Sequence, residues 1–266
     1  MDKIIGFFIV LFFLGVAFTL IEKRFAANKH KKVFRKSWKL DFFYFLFNPS
    51  VGEFLKKASA FIVIVPLYIL VVGEIPTEET FQQGFGPLGA QPLWLQAIQI
   101  LVIADFIGYW THRRLFHTSP RYWKIHAVHH SSENLDWLAS ARLHPLNEII
   151  NTLVFAVPLV LLGWSPISVA SITPFLILHG LMLHANVNWT YGKLRYVISS
   201  PVFHRWHHTK INEGGMKNFA GLFPIWDILF GTFYMPKGQY PQNFGIDENM
   251  PESFKGQMLY PFKKNL

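Results

Sequence analysis

The chain has 266 residues, 51% hydrophobic, 17% aromatic and only 15% charged, a balance that excludes an ordinary soluble domain. It contains no cysteine, which excludes a disulfide framework and any thiolate metal site; a bound metal must use His, Asp, Glu or backbone groups. The formal charge is +9, and its position along the chain carries more than its size.

Residues 4–21, "IIGFFIVLFFLGVAFTLI", are 18 residues without a charge, close to the span of a bilayer core. A cleavable signal peptide is the weaker reading, because only Lys3 precedes the run as a basic residue and no small-x-small site follows. Segment 23–39 carries eight Lys or Arg and no acid, and "DFFYFLF" (41–47) follows it. Basic residues beside aromatic ones suit a helix at an anionic membrane surface better than a nucleic-acid patch, so no nucleic-acid partner is expected. His30 in this stretch reads as a solvated surface residue.

A second apolar stretch covers 58–73, and segment 74–92 then carries three Glu and no Lys or Arg. Within it, "GFGPLG" (84–89) matches G-x-G-x-x-G by letter, but no strand precedes it and Pro87 interrupts it, so it reads as a loop. A third apolar stretch, 93–110, holds one charge, Asp105. The fourth and fifth, 149–164 and 167–183, predict a tight helical hairpin, with full or partial crossing left open. Pro66, Pro158 and Pro174 are tolerable in membrane helices, where neighbours satisfy freed carbonyls. The positive-inside rule places 23–57 in the cytoplasm and 74–92 outside, which brings 112–145 and 184–266 to the cytoplasmic side. The expected organisation is 1–92 as membrane helices with a basic segment and an outer loop, 93–235 as the functional unit, and 236–266 as a Pro- and Gly-rich tail.

Eleven of the twelve histidines lie between 112 and 208. They form "HRRLFH" (112–117), "HAVHH" (126–130), "RLHP" (142–145), "HGLMLH" (179–184) and "HRWHH" (204–208). On a helix, positions i, i+3 and i+4 share a face, so His126, His129 and His130 can point into one site, as can His204, His207 and His208. Two such triplets suggest a dinuclear centre. The pairs His112/His117 and His179/His184 step by five residues, so each needs a helix end or a π-turn between its members.

An imidazole shell suits Zn, Cu, Fe or Ni. The zinc-protease signature His-Glu-x-x-His is absent, and a hydrolytic zinc site needs only three ligands and an open position. A bis-His haem site does not explain clustered doublets. Neutral ligands in such number leave a metal pair strongly positive and suit O2 activation and attack on an unactivated C–H bond.

The boxes "HRRLFH", "HAVHH" and "HRWHH" resemble those of the fatty acid hydroxylase/sterol desaturase superfamily of membrane di-iron oxygenases. "DFIGYWTHRRLFH", "HHSSE", "RLHP", "HANVN" and "SPVFHRWHHTKINEGGMKNFAGLFPIWDILFGTF" extend the resemblance over roughly 100–235. "HHSSE" and the Arg-Trp of the last box are similar to the alkylglycerol monooxygenase-like branch. The resemblance implies iron ligation by His112, His117, His126, His129, His130, His204, His207 and His208, with His184 an additional ligand and His179 a tenth. His144 matches a His-Pro of some branches and competes with His179 for that tenth place. Asp105, seven residues before His112 on nearly the same helical face, is expected to orient a ligand imidazole. Asn218 and Asp227 are weaker candidates for the same task.

The expectation is an all-α, multi-pass membrane bundle with a cytoplasmic His-rich cap, in a bacterial inner membrane. Two Fe ions and O2 oxidise a C–H bond of a membrane lipid by hydroxylation or desaturation, with electrons from a separate reductase or ferredoxin. The competing readings are a di-zinc hydrolase, a haem- or metal-binding protein without catalysis, and an inactive scaffold.

Overall fold

The computed structural model describes residues 2–263. Helix α1 (Asp2–Phe25) runs beyond the apolar stretch and carries Lys23 and Arg24 in its last turn, where cations offset the carbonyl end of the helix dipole. Helix α2 (Trp38–Phe47) passes through a π-turn at Asn48–Gly52 directly into α3 (Glu53–Val72). The second span therefore begins twenty residues earlier than the apolar stretch at 58 implied. Lys56 lies just before that stretch, and its pairing with Glu53 at 2.8 Å and Glu148 at 3.6 Å lets the helix run through it.

Helix α4 (Leu93–Trp110) runs into a second π-turn, Thr111–Phe116, and α5 (Pro120–His130) follows. The hairpin is α6 (Pro145–Leu162) and α7 (Pro166–His184). Gly163, at φ 73°, ends α6 in a conformation glycine adopts freely, and the Ser165 hydroxyl caps α7 by accepting from Ile167 N at 3.1 Å. Helices α8 (Pro201–His207), α9 (Ile225–Leu229) and α10 (Phe254–Leu259) complete the chain. No strand occurs among the described residues, only isolated bridges between Ala26 and Val187 and between Thr209 and Phe244.

Five helices are long and apolar enough to cross a membrane: Ile5–Phe25, Trp38–Val72, Leu93–Phe116, Pro145–Leu162 and Pro166–His184. Their outward faces carry exposed large apolar side chains, such as Phe12, Phe61 and Leu70 (82% exposed), which water would penalise and lipid does not. The chain is an all-α, multi-pass membrane bundle. Helix α3 packs on α6 through Ile64, Tyr68 and Val160, and α1 packs on the end of α7 through Phe18 and Leu181. The "GFGPLG" segment, expected to be a loop, instead forms a short helical turn at Gly86–Gly89, started by Pro87 near its N-terminus, and Phe85 N donates to Gly163 O at 2.8 Å, beside the hairpin turn. Buried Gln96 locks the same end, accepting from Ser165 N at 2.8 Å and donating to Gln91 O at 2.7 Å.

At the opposite end, a buried charge network replaces apolar packing. Arg35 forks onto Asp136 (2.6 and 2.7 Å) and also reaches Asp41 at 2.6 Å, while Asp41 takes Arg142 Nε at 2.5 Å. Lys31 joins Asp136 at 2.9 Å and Glu22 at 3.1 Å. Three cations thus meet three carboxylates, and the basic segment is pinned to α1, α2 and the run before α6. Burial alone would raise the Asp136 carboxyl, but Arg35 and Lys31 outweigh it and hold it at about 2.

Candidate metal centre

The ends of α4 and α7, the start of α6 and the helices α5 and α8 meet around the histidines. Two groups form: His112, His117, His126, His130 and His207, and beside them His129, His184, His204 and His208. Within each group one nitrogen per ring lies within 4.8 Å of all the others.

The two His-x-x-His-His boxes do not each build one site, as the shared-face argument expects. His126 and His130 join the first group and His129 the second; His204 and His208 join the second and His207 the first. The reason is angular. From position i, residue i+3 lies about 60° to one side and i+4 about 40° to the other. Each helix therefore sits between the two groups and feeds both. His130 and His208 stack across the boundary with centroids 4.3 Å apart.

His117 reaches His112 because the π-turn at Thr111–Phe116 widens that step, closing with His117 N to His112 O at 3.1 Å. Helix α7 has no such turn between His179 and His184. His184 enters the second group; His179 stays outside both, half-buried, its Nε2–H donated to Gly221 O at 3.2 Å.

Backbone and amide oxygens set the ring tautomers. The Nδ1–H groups of His112, His126, His129, His184 and His207 donate to Phe219 O, Asn147 Oδ1, Arg142 O, Gly180 O and Lys217 O, at 2.7 to 3.2 Å. Each ring then turns a bare Nε2 lone pair inward. His112 and His126 face each other Nε2 to Nε2 at 3.0 Å, and His129 and His184 at 3.2 Å. Two lone pairs at that distance cannot bond to each other. They are spaced as cis ligands of one ion, since donors about 2.1 Å from a metal at right angles lie about 3.0 Å apart. The buried Nε2 atoms of His117 and His207 have no hydrogen-bond partner either. Burial first, and neighbouring imidazoles second, hold His117, His126, His129, His130, His204, His207 and His208 well below the usual histidine range. They are neutral at pH 7, the metal-binding form. The donor set fits a pair of ions without carboxylate ligands. It exceeds a three-ligand hydrolytic zinc site and the two axial donors that a bis-His haem takes.

The other predicted residues hold the shell rather than join it. Asp105 accepts from Leu222 N and Phe223 N, both at 2.8 Å, and from Trp226 Nε1 at 3.0 Å; it contacts no imidazole. Asp227 accepts from Phe219 N and Ala220 N at 2.8 Å and from Thr232 Oγ1 at 2.6 Å, and burial pushes its carboxyl up. Asn218, at φ 57°, donates to Phe203 O and Tyr234 O and accepts from Tyr234 N. Together these three grip the 218–223 loop whose Phe219 carbonyl orients His112. His144 Nδ1 caps α6 by accepting from Leu146 N at 3.1 Å, and its Nε2–H donates to Met258 O. Sequence reasoning passed over Asn147, which orients His126; a buried Asn at the start of an apolar helix is the signal it left.

This geometry agrees with the sequence comparisons. The profile of the fatty acid hydroxylase family matches residues 97–232, which is 136 of the 266 residues. The chain belongs to the fatty acid hydroxylase family. It is similar to an ornithine lipid hydroxylase of Rhizobium tropici, 34% identical over 177 residues that cover 65% of this chain and 52% of that protein. It is also similar to human alkylglycerol monooxygenase, 35% identical over 130 residues, covering 48% and 28%. An Arabidopsis thaliana CER1-like protein is 29% identical over 161 residues, covering 56% and 25%. The chain thus spans about half the length of the first of these relatives and about a quarter of the other two. No solved structure matches it.

Proposed function

We propose that this family member is an O2-dependent lipid hydroxylase or desaturase. Its nine clustered histidines would hold two iron ions, one in each group, with residues 93–235 as the catalytic unit. The single observation that carries the reading is the pair of lone-pair contacts, His112 to His126 and His129 to His184, with every one of these rings locked by an oxygen behind it. Iron held there would supply activation of O2 and oxidation of a C–H bond that no acid or base can attack. The protein's part is to keep the imidazoles neutral, dry and oriented. Phe116 stacks on His126 and Phe219 packs edge-on to His112, shielding the first group from water.

The substrate in this reading is a membrane lipid, as the names of the relatives from Rhizobium tropici and human suggest, and the electrons come from a separate donor protein. The basic 23–39 segment supports a cytoplasmic site in a bacterial inner membrane. The chain lacks cysteine, so His30→Cys and Glu79→Cys each introduce a single labelling site. An impermeant maleimide applied to intact cells should label Glu79→Cys and spare His30→Cys; the reverse pattern removes the orientation.

Function is tested by lipid profiling of cells with and without the protein, with and without O2. A species gaining one oxygen or losing two hydrogens, absent in His207→Ala cells, is expected. Anaerobic turnover, or zinc-dependent release of a lipid fragment, would point to the hydrolase instead.

A further inference from the structure

A cavity of about 960 Å³ lies beside the metal centre and takes no part in holding it. Its membrane-side wall is Phe12, Val16 and Leu20 of α1, continued by Phe34 and by Phe42 of α2. Its floor is Asp136–Leu138 with Asn186, two residues beyond His184. Its rim is the basic segment.

Five cations line it against two carboxylates, Glu22 and Asp136. Both carboxylates are already held by Lys31, at 3.1 and 2.9 Å. Lys23, Arg24, Lys29 and Lys32 remain, all exposed, and none forms an ion pair among the described residues. A basic tail attracts an anionic surface diffusely. Here the cations surround a concave space whose floor is rigid, because Arg35 and Asp41 lock Asp136 from behind. The space is large for a small ligand, at the upper end of about 300–1,000 Å³. Its apolar wall includes a face of α1, a helix long and apolar enough to cross a bilayer, with Phe12 and Leu20, and Phe34 beyond it, each more than 60% exposed.

We infer that this cavity is a stoichiometric site for one anionic membrane lipid. The headgroup sits among Lys23, Arg24, Lys29 and Lys32, and the acyl chains lie along α1. The inference rests on the membrane embedding of the chain, not on lipid oxidation, so either can fail without the other.

The test is native mass spectrometry of the full chain in uncharged detergent, titrated with phosphatidylglycerol or with phosphatidylcholine of the same acyl chains. One retained phosphatidylglycerol per chain is expected, with phosphatidylcholine weaker by roughly tenfold or more. Lys29→Gln/Lys32→Gln should lose that preference, Lys29→Arg/Lys32→Arg should keep it, and Lys193→Gln, in the 3-10 turn Gly192–Tyr196 and not among the residues lining the cavity, should leave it unchanged. Melting temperatures of the variants establish that each is folded. Equal retention of the two lipids, open-ended multiple adducts, indifference to Lys29→Gln/Lys32→Gln, or displacement by millimolar inorganic phosphate would each overturn the site.

Discussion

Asp41 and Arg142 form a buried ion pair at 2.5 Å, and the carbonyl of the same Arg142 accepts the Nδ1–H of His129 at 3.2 Å. An acid on a membrane helix is thereby linked through one residue to the orientation of an imidazole in the second group. The charge network at that end of the bundle is both an anchor for the basic segment and a support for the metal site.

Asp41→Ala should therefore cost more than an ordinary surface change. It leaves Arg142 buried without a carboxylate and Arg35 with Asp136 alone, a loss of about 3–5 kcal/mol. The expected outcome is a large fall in melting temperature together with loss of metal from the second group. A variant that melts normally and keeps full metal would disconnect the network from the site.

His129→Ala and His207→Ala each remove a donor from the group that their own box does not dominate. His129→Ala leaves three donors in the smaller group and should reduce bound iron to roughly one ion per chain. His207→Ala leaves four in the larger group and should retain more metal while abolishing lipid oxidation. Elemental analysis of purified variants checks both; equal, complete loss would contradict the division into two groups.

His179→Ala should keep both ions, since its ring bonds Gly221 O and not a partner imidazole. His144→Ala should also keep both and lose about 0.5–2 kcal/mol, the usual worth of a helix cap. Metal counts and thermal melts separate these from ligand losses. Loss of an ion in either variant would return that residue to the ligand set.

Asp227→Ala frees three donors and the loop that carries the Phe219 carbonyl. Metal affinity should fall about 10–100-fold, as it does when the partners behind ligands are removed. Competitive chelator titration measures it. Unchanged affinity would mean that His112 holds its orientation without the loop.

The metal-free protein should weaken in mild acid. The cluster histidines outside the membrane spans are depressed by burial, so the unfolded chain takes up more protons than the folded one below its own titration range. Their contribution to stability is full above about pH 6.5 and falls as pH drops below it. Melting temperature against pH checks this. Iron loading should move the fall to lower pH, because bound metal competes with protons.

Much of this protein was readable in order along the chain. Apolar runs near bilayer length marked five spans, because a bilayer core demands unbroken hydrophobicity whatever the neighbours are. The doubled His-x-x-His-His boxes marked a metal centre, because no packing argument needs that many buried imidazoles. What the sequence by itself left undecided depended on partners distant in sequence. Lys56 and Lys57 bound the second run by composition, yet the helix extends back through them because Lys56 pairs with Glu53 and Glu148. His112/His117 and His179/His184 have the same five-residue step; only the π-turn at Thr111–Phe116 closes the first, and nothing local distinguishes them. Asp105 and Asp227 read as acids near ligands, but each grips backbone of the 219–223 loop. The division of each box between two groups was decided last, by where α5 and α8 come to rest beside each other. Spacing along a helix sets which way a ring points, and only tertiary packing sets what it meets there.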